Sequence, residues 1–119
     1  MRDFRKLKVW ARAHQLTLAL YRVTKEFPKD EMYGLTAQIR RSAASVGANL
    51  AEGCGRKGER EFARFLSIAL GSASELEYHL ILATDLDYLD GGESLRMSGE
   101  VIEVKRMISG LLAKLKADG

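Results

Sequence analysis

The stretch Glu59–Leu89, EREFARFLSIALGSASELEYHLILATDLDYL, decides the fold. Phe62, Leu66, Ala69, Ala73, Leu76, Leu80 and Ala83 recur at steps of four and three, the spacing that lines one face of an α-helix. No period-two alternation competes with it. At 1.5 Å per residue the helix reaches roughly 45 Å, and Asp90-Gly91-Gly92 is the turn that ends it. A second stripe lies on roughly the opposite face: Arg64, Ile68, Gly71, Glu75, Tyr78, Leu82, Asp85 and Leu89. A helix apolar on two sides is usually buried on two sides. Ile68, Gly71, Glu75, Tyr78, Leu82 and Leu89 are therefore expected at a subunit interface, with Gly71 admitting a neighbouring backbone. The plainer alternative is a scatter of surface apolar residues, which needs no partner.

Upstream, Gly53, Gly55 and Gly58 mark a loop. Before it, Leu35, Ile39, Ala43, Val46 and Leu50 predict a second helix, with Asp30 as its N-cap. The first helix is predicted from about Lys6 to Phe27 on Val9, Ala13, Leu16, Leu20, Val23 and Phe27, and Pro28 stops it. Downstream, Met97, Val101, Val104, Ile108, Leu111 and Leu115 form the fourth stripe. Four such seams joined by short connections predict an all-α fold: one domain over residues 1–119, an antiparallel up-down-up-down four-helix bundle.

The bulk composition agrees with this. Hydrophobic residues make up 46% and charged residues 29%, which excludes a disordered chain, and the single proline favours helix over sheet. The lone Cys54 cannot form an internal disulfide, which suits a reducing compartment. No run of 18 apolar residues occurs, so the expectation is a cytoplasmic protein with no membrane partner.

The net charge is only +3, but it is sorted along the chain. Residues 1–12, 40–64 and 104–119 hold fifteen basic and five acidic residues, a net of +10. Residues 13–39 and 65–103 hold four basic and eleven acidic, a net of −7. Up-down-up-down topology assigns the first set to one end of the bundle. Arg2, Arg5, Lys6, Lys8 and Arg12, with Arg56, Lys57, Arg60 and Arg64, then become candidates to hold a polyanion, RNA or DNA. The glycine-rich connection can bring backbone amides at the start of the third helix to a phosphate. Two plainer readings compete. Basic residues such as Lys114 and Lys116 complement a helix macrodipole at its C-terminus, or acidic and basic ends meet in an oligomer.

Catalytic patterns are missing. His14 and His79 stand on separate helices without a metal-ligand spacing. Glu75 and Glu77, two apart, do not share a face, and no Glu-x-x-His occurs there. Gly53–Gly58 spells G-x-G-x-x-G but follows a helix, not the strand that a dinucleotide site requires. Arg56 and Lys57 next to Cys54 could lower its pKa, but no base accompanies the thiol. The expectation is no enzyme, no cofactor, no metal and no small-molecule substrate.

Gln38–Gly53, QIRRSAASVGANLAEG, sets a polar stripe of Gln38, Arg41, Ser45, Asn49 and Glu52 beside small residues. Such a stripe is expected to be satisfied internally or across an interface, with Arg41 paired to Glu52 or Glu75 in a partly buried ion pair. This segment also resembles the signature of the four-helix-bundle proteins encoded within intervening sequences of bacterial 23S ribosomal RNA genes. The similarity runs in order through Phe4–Trp10, Phe27-Pro28, Tyr33-Gly34-Leu35, the quoted segment, Glu61-Phe62, Phe65-Leu66 and Ala69–Glu77. Gly47 stands where that family often has proline, and Cys54 where an aromatic is usual. The resemblance implies a ring-shaped homopentamer associated with RNA or other nucleic acid, as proposed also for the similar accessory proteins of diversity-generating retroelements.

Overall fold

The computed structural model describes residues 2–118. A 3-10 turn at Phe4–Lys6 leads into α1 (Lys8–Val23), followed by α2 (Leu35–Cys54), α3 (Glu59–Asp85) and α4 (Gly91–Asp118). Two further 3-10 turns, Thr24–Glu26 and Lys29–Glu31, fill the α1/α2 connection. Cross-helix contacts fix the directions. Thr17 donates to the Ala43 carbonyl and Arg40 to Thr24. Ser45 meets Ser72 and Arg41 meets Glu75. Thr84 meets Ser94 and Lys105 donates to Glu77. In each pair of neighbours the numbering rises along one helix as it falls along the other, so the helices run antiparallel. The bundle is a rod of 46 × 22 × 19 Å.

The predicted stripes meet at its centre. Ala13 and Leu16, Ala43 and Val46, Ala73 and Leu76, and Val101 and Val104 form one layer, two residues from each helix, with no room for a water molecule. Leu20, Ile39, Leu50, Leu66, Leu80 and Ile108 extend the same core along the rod. Each leucine or isoleucine buried this fully contributes about 1.5–3 kcal/mol relative to exposure. Small residues bring α2 and α3 together. A Cβ at Gly53 would lie 2.8 Å from Phe65 Cβ and 3.3 Å from Phe62 Cδ1.

The element ends depart from expectation. α1 stops at Val23 and not at Phe27; Val23 is only half-buried, and Thr24 is buried beside the seam, its hydroxyl donating to the Leu20 carbonyl at 2.7 Å. Phe27 still reaches the core, through the 3-10 turn. α2 begins at Leu35, not at Asp30, and Glu31 is its cap, accepting the Leu35 N–H at 3.0 Å. α3 ends at Asp85 rather than Leu89, because Asp87 adopts φ 62° and turns the chain out of the helix. Leu89, expected at a subunit interface, folds back and is 4% exposed in the monomer's own core.

Candidate nucleic-acid interface

One end of the rod collects the start of α1, the Gly55–Gly58 loop, the start of α3 and the last turns of α4. The Arg2 N–H donates to the Cys54 carbonyl at 2.9 Å and its guanidinium donates to Glu59 at 2.5 Å, tying the N-terminal segment to the α2/α3 loop. All nine expected cations lie on these segments or on the α1 turn just beyond them, but they fall into two groups. Arg2, Arg12, Arg56 and Arg64 already have carboxylate partners in Glu59, Glu100, Glu52 and Glu61. The bidentate Arg12–Glu100 pair, at 2.9 and 3.1 Å, holds the carboxyl below its ordinary range and raises the guanidinium above its own. The Arg64–Glu61 hydrogen bonds act in the same way. Three of these arginines also lie over aromatic rings, Arg2 on Phe62 and both Arg56 and Arg64 on Phe65, which fixes their heads beside the α3 start. Arg5, Lys6, Lys8, Lys57 and Arg60 are exposed and, among the described residues, have no acidic partner.

A groove of about 500 Å³ runs between the start of α1 and the last turns of α4. Leu7, Val9, Met107 and Leu111 form its floor, while Lys6, Lys8, Arg106 and Lys114 stand along its edges. It opens because Leu111 is only half-buried and Gly110 contributes no side chain. Arg106 and Lys114 were absent from the expected binding set. Their signal was present, since Arg106, Gly110 and Lys114 sit four apart and share a face, but Lys114 reads equally well as a macrodipole complement. Two arginines move the other way. Arg40 and Arg41, counted with the basic end, lie toward the opposite end of α2. Arg40 donates to Thr24 Oγ1 at 2.9 Å and to the Tyr21 carbonyl at 3.2 Å, closing the C-terminal end of α1.

The polar stripe of α2 is satisfied within the subunit. Gln38 accepts from Arg41 at 3.0 Å, Ser45 meets Ser72 at 2.9 Å, Asn49 donates to the Ser45 carbonyl at 2.8 Å, and Glu52 takes Arg56. Arg41 pairs with Glu75 and not with Glu52. The pair lies toward the surface and is partly sheltered, with the two side chains 55% and 38% exposed. The same Glu75 carboxylate contacts His79 Nε2 at 3.2 Å, so it serves an internal network beside the expected interface. Along that interface stripe, Ile68 and Tyr78 are exposed, and a Cβ on Gly71 would meet nothing within 4 Å. Leu82 is half-buried against the core. Ile81 on α3 and Ile102 on α4 are also exposed, and for Ile81 the Leu80-Ile81-Leu82 run gives no face to prefer from sequence.

Cys54 corrects another expectation. It is the last residue of α2 and is buried, and that burial pushes its thiol pKa up; the Arg2 charge only partly opposes the shift. His14 stacks on Trp10 at 5.1 Å. Among the described residues no three His, Cys, Asp or Glu side chains gather as metal ligands, and no helix is long and apolar enough to cross a membrane.

A family model described as 23S rRNA-intervening sequence protein matches residues 5–110. The chain belongs to that family. Among solved structures, the 23S rRNA-intervening sequence fold is matched by a protein of unknown function from the S23 ribosomal protein family of Bacteroides thetaiotaomicron VPI-5482. The two share 22% identity at a TM-score of 0.79, over 87% of this chain and 97% of the other. That likeness supports the shared fold. A search of curated proteins gave no match.

Proposed function

We propose that this chain is a non-enzymatic, homo-oligomeric protein, by family resemblance a pentamer, that binds RNA or another nucleic acid through the basic end of its bundle. The observation that carries this reading is the set of exposed cations at that end. Lys6, Lys8, Lys57, Arg60, Lys114 and Lys116 have no carboxylate partner among the described residues. A lysine that neutralises a phosphate releases counterions condensed on the polyanion, whereas a paired arginine must first give up its carboxylate. Contacts of this kind position a polyanion and read little of its sequence.

A second reading, a structural or adaptor oligomer whose partner is another protein, is favoured by the opposite end. There Met32, Tyr33, Leu86 and Leu95 are exposed beside Asp85, Asp87, Asp90 and Glu93. The deciding experiment is binding of purified protein to labelled structured RNA and to duplex DNA across a salt series. If four phosphates are neutralised per site, a fourfold rise in salt weakens duplex binding by about a hundredfold. An absence of binding at low salt would leave the protein-partner reading.

A further inference from the structure

We infer that the groove between α1 and α4 receives an unstacked base of a single-stranded polynucleotide, with the lysines on its two edges holding the flanking phosphates. This rests on the nucleic-acid reading above and narrows it to single strands.

The groove joins two kinds of surface that a duplex cannot use together. Its edges carry Lys6 and Lys8 from α1 and Arg106 and Lys114 from α4. Its floor is aliphatic and thioether: Leu7, Val9, Met107 and Leu111. A duplex offers phosphates outward and keeps the faces of its bases stacked inside, so against a duplex the edges would be used and the floor would stay wet. In a single strand the base can rotate out of the stack and present an apolar face, as single-strand-selective proteins generally exploit. Burying that face on the floor removes apolar surface from water, and the polarisable Met107 thioether is a favourable neighbour for an aromatic ring.

The dimensions agree. The groove offers about 500 Å³ between the two helices and stays open to solvent, so a base can lie on its floor while the strand continues on either side. Arg106 and Lys114, eight residues apart on α4, are separated by roughly 12 Å along the helix axis, so a base seated between them has a cation on each side along the strand. Of the four edge cations only Arg106 has a carboxylate partner, Glu103 at 2.5 Å. The three lysines remain for phosphate.

Gly110 provides a test that leaves every charge in place. It lines the groove, it is exposed, and an added Cβ meets nothing within 4 Å. Gly110→Leu fills the groove while improving helix propensity, so the bundle is retained. Fluorescence anisotropy at low salt compares a labelled single-stranded RNA with an RNA duplex of equal length, for wild type and Gly110→Leu. The expected result is wild type binding the single strand about tenfold tighter, and Gly110→Leu losing that preference with duplex affinity unchanged. A fluorescent purine analogue within the single strand gives a second readout on the wild-type protein. Its emission rises on binding if the base leaves the stack and stays quenched if it does not. Equal affinity for the two forms, or a Gly110→Leu variant that still prefers the single strand, overturns the groove assignment while the basic end remains a nucleic-acid site. Failure to bind either form overturns both.

Discussion

The Tyr88 hydroxyl donates to Glu31 Oε2 at 2.9 Å, while the other oxygen of the same carboxylate accepts the Leu35 N–H at 3.0 Å. One side chain thereby caps α2 and ties it to the segment between α3 and α4, two connections far apart in sequence. Tyr88 also packs on Phe27, with ring centroids 5.4 Å apart.

This relationship predicts a stability profile with two limbs. The Leu35 N–H first, and Tyr88 second, hold the Glu31 carboxyl below its ordinary value of 4.5, against a smaller opposing effect of burial. A depressed carboxylate contributes stability that is present above its unfolded value and lost as pH falls through the folded one. The same bond raises the Tyr88 phenol above 10.0. A raised phenol contributes stability below its unfolded value, lost as pH rises through the folded one. In thermal melts from acid to alkali, Tyr88→Phe should lose the alkaline limb and keep most of the acid limb. Glu31→Ala should lower the melting temperature at neutral pH and flatten both. If Tyr88→Phe leaves the alkaline limb unchanged, the bond is not its source.

The contrast between two glycines of α2 predicts opposite responses to one added methyl. At Gly53 the new Cβ would press on Phe65 Cβ, which cannot move without its backbone, so α2 and α3 must separate. Gly53→Ala should destabilise by about 1–3 kcal/mol, the usual cost of overpacking. At Gly47 the new Cβ would lie 3.6 Å from Trp10 Nε1, an ordinary contact. Gly47→Ala should be neutral, or stabilise by up to about 1 kcal/mol through helix propensity. Urea melts of both variants decide the matter; equal destabilisation would mean that the close approach at Gly53 is not special.

The core was legible in the sequence because burial follows helical periodicity, and the α2 and α3 stripes are buried at every predicted position. What could not be read is where periodicity gives way to local chemistry. Thr24 and Glu31 end α1 and begin α2 through hydrogen bonds that no spacing rule shows. Asp87 ends α3 in a conformation that sequence assigns more readily to glycine. Leu89 continued the second stripe by count, but the helix had already turned away. Which charged segments gather at one end of the bundle was legible, save for Arg40 and Arg41, but whether an arginine there is paired depends on how neighbouring helices are rotated. Arg12 meeting Glu100, 88 residues away, leaves no trace in spacing.

The α3 outer face predicts which substitutions separate the subunits of the proposed oligomer. Leu82 is a poor probe, because it packs on the core and its replacement would also unfold the monomer. Ile68 and Tyr78 are 40% and 59% exposed, so a monomer tolerates polar groups there. Ile68→Asp with Tyr78→Asp should reduce the light-scattering mass toward the single-chain 13.2 kDa, with an unchanged circular dichroism spectrum. An unchanged mass would remove this face from the interface.

Pairing also predicts which cations matter for nucleic acid. Lys8 and Lys114 edge the α1/α4 groove, and neither has a carboxylate partner among the described residues. Each lysine that neutralises a phosphate adds about 0.7 to the logarithmic salt slope for a single strand. Lys8→Gln with Lys114→Gln should therefore flatten the slope by about 1.4 and weaken binding most at low salt. Arg12 gives up the Glu100 carboxylate if it turns to a phosphate, so Arg12→Gln should flatten the slope by less than half as much. Circular dichroism confirms that both variants remain helical before the slopes are compared. If Arg12→Gln flattens the slope by about 0.7, the full value of one phosphate contact, the Arg12–Glu100 pair opens on binding and the cationic surface is larger than the unpaired residues alone. If neither variant changes the slope, the polyanion lies elsewhere on the bundle.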